Sequence, residues 1–486
     1  MQVFLVTATA SDRPVVRQLL RRLDISTVED LPADRLRVDG LTETLQPCDA
    51  VVAVPFGAGM SSLARVIGAA FRLGKPVIVF IPDGADPGRL PFSLRGGPTV
   101  GLGGEPDDVA KRVLEAIEQV QLVAGKQARG ARSGLSAGPL TDEDLMPAVL
   151  AAAGVVAADV TRLAGRTESP AFVAPYDAWS FPDNVVDRYG TLRFTVDDLA
   201  HALFVTGRAP GDRMRYGAAS IWEWLHRASL VPAYVRRHHT GRLVRSRLAM
   251  ELDRSELVAF SYALGQAMTA LFCRNALSVT HLMHVDRYAS HYGMSFGNTR
   301  ERADLFGPAS AGWVVAEAKG RSRAMESTLR TKLRQQKRSI ASIGGDRPWL
   351  ALGCVAAFPK DDVGMRIHAV DPVEDGPEPV EIPAGLDDYM LAYYAPFVLA
   401  IDAGEPVVRN DRTIAARFAS MGVTVCMWSD IYMRVHQAAA GGVDRLYQDV
   451  QLMLDEGLSQ PLALLADGTT VETAWRAVVS ASDWEV

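Results

Sequence analysis

The stretch RADLFGPASAGWVVAEAKGR, residues 302–321, decides how the central part of this chain folds. It predicts an acid at the end of one strand, a turn rich in Gly, Pro and Ser, and an apolar strand that ends in Glu-x-Lys. Residues two apart on a strand share a face, so Glu317 and Lys319 point the same way, and the hairpin brings Asp304 beside them. Two carboxylates and an ammonium on one face can hold a hard cation and activate water.

Lysine usage strengthens this motif. An acid-x-Lys tripeptide is expected about once by chance in a chain of this length at average composition. Here only seven of the 51 basic residues are lysines, and the other 44 (51 − 7) are arginines. A lysine ammonium is compact and its pKa shifts readily, so a lysine in this background is more often required as lysine. The alternative is a solvent-exposed strand end with a cross-strand ion pair.

The flanking segments add an acid-bearing helix and a basic helix. Residues 253–272 predict a mostly buried helix that carries Glu256, with Asp253 or Ser255 as its N-cap. Residues 325–340 predict a helix that is basic almost throughout, with Glu326 as its only acid. A solvated face usually mixes both signs, whereas a basic face is suited to a phosphate backbone.

This order of segments resembles the PD-(D/E)xK nuclease superfamily, the restriction-endonuclease-like proteins, over about residues 250–375. The resemblance implies that Asp304 and Glu317 ligate Mg²⁺ and that Lys319 positions or activates the attacking water. The residue before Asp304 is Ala303, where the family motif has Pro.

The same resemblance assigns roles to the flanking helices. Glu256 would complete the metal site, with Glu251 as an alternative. Gln335 or Gln336 would contact the substrate. Apart from the resemblance, the basic face of the same helix predicts phosphate contacts by three residues: Arg330, Arg334 and Lys337.

The N-terminal segment, residues 1–122, predicts a doubly wound parallel sheet because short apolar runs alternate with helical patterns. One predicted strand ends in FGAGMSS, residues 56–62, at the start of a helix. Backbone N–H groups at such a position can bind a phosphate, although a tight turn that needs glycine explains the residues equally well. The candidate ligand-binding residues are Gly57, Gly59, Ser61 and Ser62.

Three short motifs in this segment are DAVVA (49–53), GAA (68–70) and GKPV (74–77). With them the segment resembles nucleoside 2-deoxyribosyltransferase-like proteins and the related nucleotide-sensing Rossmannoid (SLOG-type) domains. In the transferases a catalytic Glu lies two residues before the glycine that corresponds to Gly68, and Val66 occupies that position here. Valine cannot act as a nucleophile, so we expect a ligand-sensing domain without transferase activity.

Composition limits the class of protein, its nucleic-acid contacts and its expected location. At 486 residues, 48% hydrophobic and 22% charged, the chain is typical of a soluble protein with two or more domains. The net charge of −6 argues that any nucleic-acid contact is local. The four cysteines lack CxxC spacing, which favours free thiols in a reducing compartment. The first residues lack a basic n-region and predict a strand, so we expect a cytoplasmic protein without membrane contact.

Two further clusters have two interpretations each. The basic residues between 236 and 247 either face DNA or pair with acids of the N-terminal domain. His281 and His284 have a spacing that permits zinc, but no Cys or intervening Glu accompanies them, and core or surface histidines are favoured.

The sequence thus predicts an α/β protein with three parts: residues 1–122, a linker at 123–140, and a nuclease domain with helical additions at 141–486. The expected activity is Mg²⁺-dependent endonucleolytic cleavage of DNA, gated by a nucleotide-like ligand, as in a bacterial defence effector. One alternative is a nucleoside- or NAD-processing N-glycosidase or deoxyribosyltransferase-like enzyme built on the N-terminal domain. Another is a non-catalytic nucleotide- or DNA-binding protein. DNA versus RNA and homo-oligomer formation stay open.

Overall fold

The computed structural model describes residues 2–8, 12–29, 38–56, 60–86, 90, 94, 98–127, 171–182, 185–207, 219–286, 303–321, 340–359, 364–371, 380–383, 385–409, 412–458 and 464–480. The fold is mixed α/β. Contacts divide the chain into two compact units. The first comprises Met1–Leu145, Phe397–Phe418 and Thr424–Thr469, and the second comprises Met146–Pro396, Ala419–Val423 and Thr470–Val486.

The first unit begins with a five-stranded sheet of order β2-β1-β3-β4-β5 in which every pairing is parallel. The predicted N-terminal parallel sheet is therefore confirmed. Its central strands β1, β3 and β4 consist mostly of apolar residues, which is typical of a parallel sheet that helices cover on both faces. The elements are β1 (Gln2–Thr7), α1 (Asp12–Arg22), β2 (Ser26–Glu29), α2 (Val38–Leu45), β3 (Ala50–Val54), α3 (Met60–Arg72), β4 (Val77–Ile81), β5 (Thr99–Gly101) and α4 (Pro106–Gln127).

The second unit is built on a seven-stranded mixed sheet of order β10-β11-β12-β14-β15-β6-β7. Strands β11 and β12 are antiparallel, whereas β12 and β14 are parallel, so the chain must cross over between the end of β12 and the start of β14. The strands are β6 (Ala171–Trp179), β7 (Tyr189–Thr195), β8 (Val235–Arg237), β9 (Leu243–Arg245), β10 (Met283–His284), β11 (Leu305–Ala309), β12 (Gly312–Arg321), β13 (Ile340–Ile343), β14 (Leu350–Ala357), β15 (Arg366–Val370) and β16 (Val380–Ile382).

The helices of the second unit are α5 (Val196–Thr206), α6 (Ala219–Tyr234), α7 (Arg247–Glu251), α8 (Arg254–Leu277) and the first part of α9 (Leu386–Ala403). The predicted helix after residue 253 is confirmed as α8, with Asp253 as its N-cap. By length and composition alone α8 could cross a membrane, but 72% of its apolar window is buried inside the protein. That burial is typical of the core helix of a soluble protein.

Helix α8 lies unusually close to strand β12. A Cβ atom built on Gly320 would lie 1.5 Å from the carbonyl oxygen of Ser261, and one built on Gly265 would lie 2.3 Å from the Gly320 nitrogen. Only glycine permits this backbone-to-backbone approach. The contact fixes the helix against the strand that carries Glu317 and Lys319.

The C-terminal elements are β17 (Glu405–Val408), β18 (Thr413–Phe418), a 3₁₀ turn (Ala419–Met421), β19 (Val423–Trp428), α10 (Ser429–Ala439), α11 (Leu446–Leu458), β20 (Thr469–Thr473) and α12 (Arg476–Val479). Within the first unit, α10 packs on α3 of the N-terminal sheet. The first unit therefore contains C-terminal segments in addition to residues 1–122.

Candidate functional site

The hairpin of β11 and β12 carries the predicted acids. Leu305 pairs with Ala316, and Asp304 directly precedes β11, so the expectation that Asp304 ends a preceding strand is wrong. Gly307 and Pro308 lie inside β11, and the turn falls at residues 310–311. Pro308 is tolerated because it lies beyond the short pairing with β10, where only β12 is adjacent.

The structure brings Asp304, Glu317 and Lys319 together. The Lys319 ammonium forms an ion pair with Oε1 of Glu317, and Asp304 Oδ2 accepts a hydrogen bond of 2.9 Å from the Ala318 N–H. The Glu317 side chain is only 1% exposed, whereas that of Lys319 is 28% exposed. Glu317 is therefore held inside the protein with its lysine reaching toward solvent.

Burial has the largest effect on the pKa values of Asp304 and Glu317. It raises the pKa of Glu317 to about 8, the negative charge of Asp304 acts in the same direction, and Lys319 opposes both. Burial also raises the pKa of Asp304, against the opposing effects of Lys319 and the Ala318 N–H. Two buried acids with raised pKa values are poised to exchange a proton for a cation.

The carboxyl groups of Glu317 and Asp304 can serve as metal ligands. Oε2 of Glu317 is buried and receives no hydrogen bond from a donor in the described part of the chain, and the carboxyl groups of Glu317 and Asp304 lie within hydrogen-bonding reach of each other. Two buried carboxyl groups that face each other either share a proton or hold a cation. Hard cations such as Mg²⁺ prefer carboxylate oxygens, so Asp304 and Glu317 fit the two protein ligands that such an ion commonly takes.

The raised pKa of Glu317 predicts a pH-dependent stability effect. Between its ordinary value of 4.5 and about 8, folded Glu317 binds its proton more tightly than unfolded Glu317, so stability falls as pH rises. Glu317→Gln removes this cost. In metal-free buffer we expect the variant to be more stable than wild type by about 4 kcal/mol at pH 8 and equally stable near pH 4. Urea unfolding across this pH range measures the difference, and a pH-independent difference would contradict it.

Glu256 caps helix α8 in the structure. It lies in the first turn of α8, where its carboxylate accepts a hydrogen bond from the Asp253 N–H and completes a capping box. Across the described ranges, no group of three or more His, Cys, Asp or Glu is arranged to hold a metal. The expected role of Glu256 in the metal site stays a prediction. The alternative, Glu251, is exposed at the end of α7.

The expected substrate-binding residues lie outside the described part of the chain: Arg330, Arg334, Gln335, Gln336 and Lys337. The same holds for Gly57 and Gly59. Ser61 and Ser62 lie in the first turn of α3, which follows β3 as predicted. The substrate and ligand roles of these residues stay predictions.

Helix α3, which carries Val66 and Gly68 of the transferase resemblance, packs against other parts of the first unit. Val66 is fully buried, and a Cβ atom on Gly68 would lie 2.6 Å from the Tyr432 ring of α10. Beside this contact, the buried Asp402 carboxylate accepts hydrogen bonds from Tyr432 and Arg72. Val66, which the resemblance aligns with the catalytic glutamate, is thus part of a core, and the absence of transferase activity stays a prediction.

Two other clusters have structural roles. Arg242 donates to the carbonyl of Met365, and the Arg245 guanidinium lies 5.1 Å from the centre of the Phe358 ring. Both contacts fall within the second unit. His281 is buried, and its ring nitrogens lie 2.8 Å from the hydroxyls of Tyr394 and Thr280. The prediction of a core histidine is confirmed for His281.

Sequence reasoning missed a row of polar side chains beside the acids. Tyr262 and Gln266 lie one turn apart on α8, and His284 lies on β10 next to β11. The signal was present, because Tyr262 and Gln266 are polar residues at i and i+4 in a mostly apolar helix. Arg227 on α6 and Asp286 after β10 complete the row.

A scan against protein-family models found no match for this chain, and a search of curated proteins found none either.

Proposed function

We propose that this protein is a Mg²⁺-dependent nuclease of the PD-(D/E)xK type that hydrolyses phosphodiesters, with DNA as the favoured substrate. The observation that carries the proposal is the buried Glu317, which contacts Lys319, faces the Asp304 carboxyl group and keeps one carboxylate oxygen that no donor in the described residues reaches. Helix α8 and strands β11 and β12 follow the order that the resemblance implies. This agreement in order supports the proposal.

Asp304, Glu317 and Lys319 each have a defined chemical task. A Mg²⁺ held by Asp304 and Glu317 would polarise the phosphate and lower the pKa of a bound water. The Ala318 N–H holds Asp304 in place, so that carboxylate needs no rearrangement to act as a ligand. Lys319 reaches from the Glu317 carboxylate toward solvent, where its ammonium can stabilise negative charge that develops on the phosphate.

Charge near the site favours a nucleic-acid substrate. Between residues 321 and 338 the chain has seven basic residues and one acid. This segment starts two residues after Lys319, so a phosphate backbone bound to it would lie near the acids. The proposed contacts of Arg330, Arg334, Lys337, Gln335 and Gln336 belong to this segment.

The first unit supports a ligand-gated activity. Its strand order, β2-β1-β3-β4-β5, reverses between β1 and β3, and ligands of open parallel sheets bind beyond the carboxyl ends of the strands at that point. Gly57, Gly59, Ser61 and Ser62 follow β3 in sequence. We therefore include a nucleotide-like ligand at this position in the proposal.

Nucleic-acid cleavage tests the proposal. Purified protein is incubated with plasmid DNA and with RNA in 5-fold steps of Mg²⁺ and in excess EDTA, with nucleotides present or omitted. We expect cleavage with Mg²⁺ only, and its loss in Glu317→Gln but not in the control Glu405→Gln, an exposed glutamate of the first unit. Equal cleavage by wild type and Glu317→Gln would overturn the site.

Metal binding is measured separately because an absent gating ligand could silence cleavage. Titration calorimetry should show Mg²⁺ or Mn²⁺ binding to wild type and to Glu405→Gln, and at least 10-fold weaker binding to Glu317→Gln. Wild-type protein that neither binds these ions nor cleaves would overturn the proposed function.

A further inference from the structure

A row of hydrogen bonds leads from the interior of the second unit to Tyr262. The Arg227 guanidinium donates to Oε1 of Gln266 at 3.1 Å, and Nε2 of Gln266 donates to the Tyr262 hydroxyl at 2.8 Å. The hydroxyl also lies 3.3 Å from Nε2 of His284. Gln266 is fully buried, while Tyr262 is 46% exposed, so the row leads from the interior to a side chain that is partly exposed.

Arg227 fixes the orientation of the Gln266 amide. A guanidinium only donates hydrogen bonds, so the atom that faces it must be the amide oxygen. The amide NH₂ then faces Tyr262 and must donate. The first lone pair of the Tyr262 oxygen is therefore occupied.

The backbone fixes the proton on His284. Nδ1 of His284 accepts a hydrogen bond of 3.1 Å from the Asp286 N–H, so in the neutral ring the proton is on Nε2. Nε2–H therefore donates to the Tyr262 oxygen. With two donors on its oxygen, Tyr262 must direct its own O–H elsewhere, and no residue in the described ranges accepts it.

Tyr262 lies beside the proposed metal ligands. His284 pairs with Leu305, and the Val285 N–H donates to the carbonyl of Asp304 at 2.8 Å. Burial raises the pKa of Tyr262 to about 12, and the charges of Asp304 and Asp286 act in the same direction. The phenol therefore keeps its proton at neutral pH.

We propose that Tyr262 is a further catalytic residue, which donates a hydrogen bond from its phenolic O–H to a phosphate oxygen of the phosphodiester substrate. This assignment rests on the proposed function. A neutral donor can hold a phosphate oxygen near two carboxylates without losing its proton to them. Gln266 and Arg227 are positioning residues, because they act through the orientation of the Tyr262 hydroxyl.

Two variants of nearly unchanged shape test the assignment. Tyr262→Phe removes only the hydroxyl, and we expect kcat for Mg²⁺-dependent cleavage to fall about 100-fold. Metal affinity should change less than 3-fold. Gln266→Glu keeps the contact with Arg227 but offers the phenol an acceptor, so the O–H turns toward the helix and kcat should fall at least 10-fold. The control Tyr189→Phe removes an exposed hydroxyl of β7 and should cleave as wild type does.

The outcomes separate the two proposals. Cleavage by Tyr262→Phe at the wild-type rate overturns the role of Tyr262 and leaves the nuclease proposal standing. Wild-type rates in Gln266→Glu overturn the positioning role. A wild-type protein that fails to bind Mg²⁺ and to cleave overturns the proposed function, and the assignment of Tyr262 falls with it. If Tyr262→Phe melts far below wild type, the cleavage rate of Gln266→Glu decides whether the role of Tyr262 stands.

Discussion

Lys319→Ala is expected to lower the rate of Mg²⁺-dependent nucleic-acid cleavage by about 10³-fold. The Lys319 ammonium contacts the buried Glu317 carboxylate and lowers its pKa against the effect of burial. The variant loses the positive charge beside the phosphate and also makes Glu317 harder to ionise. Single-turnover cleavage rates at saturating Mg²⁺ isolate the first effect, and calorimetric Mg²⁺ affinity at pH 7 reports the second.

Two companion variants sharpen the result. Lys319→Arg should recover little of the rate, because a guanidinium is bulkier and does not share the compact geometry of an ammonium. Lys111→Ala removes an exposed lysine of α4 and should cleave as wild type does. Recovery of the full rate by Lys319→Arg would show that any positive charge is sufficient, contrary to the role argued for lysine.

Gly320→Ala is expected to destabilise the second unit by more than about 4 kcal/mol, or to prevent its folding. The new methyl group would overlap the backbone of Ser261 at 1.5 Å, and a backbone atom cannot rotate away as a flexible side chain can. Helix α8 would have to separate from β12 and would lose the packing of its buried face. Chemical unfolding followed by circular dichroism measures the loss.

Gly385→Ala is the matched control for this substitution. The nearest atom to its new Cβ would be an Asp388 side-chain oxygen at 3.8 Å, so the change in unfolding free energy should stay below about 1 kcal/mol. If Gly320→Ala were as stable as the control, the close packing of α8 on β12 would be wrong. The placement of Tyr262 beside the acids would then lose its support.

Local patterns were sufficient to predict the centre of the site. The period of two in β12 put Glu317 and Lys319 on one face, and the structure joins them in an ion pair. Apolar runs alternating with helices predicted the parallel N-terminal sheet. Both predictions depend on neighbours close in sequence, where side-chain direction follows directly from the secondary structure.

Other features depend on contacts distant in sequence. Strand β2 is short and carries Ser, Thr and Glu, so only its pairing with β1 makes it a strand. Proline is typical of a turn, but Pro308 lies within β11. It is tolerated there because the pairing of β11 with β10 ends before Pro308 and only β12 is adjacent. From the sequence alone, Glu256 can be a site acid or a capping residue. Only its contacts in the folded structure identify it as a capping residue.

Packing between residues distant in sequence also formed contacts that no local sequence pattern predicted. The contact of α3 with α10 brings residues 60–72 together with residues 429–439. The hydrogen bond from Arg227 to Gln266 joins two helices, and its role follows only after Tyr262 is placed next to β10. A single sequence contains these residues but not their juxtaposition.

The position of a bound cation decides whether Asp304 and Glu317 form a metal site. Crystals of the wild-type protein soaked in Mn²⁺, with data collected at the manganese absorption edge, would locate the ion by its anomalous signal. We predict one ion with oxygens of both Asp304 and Glu317 at about 2.0–2.5 Å. A fully soaked crystal in which the Glu317 carboxylate still pairs only with Lys319, with manganese absent or bound elsewhere, would contradict the account.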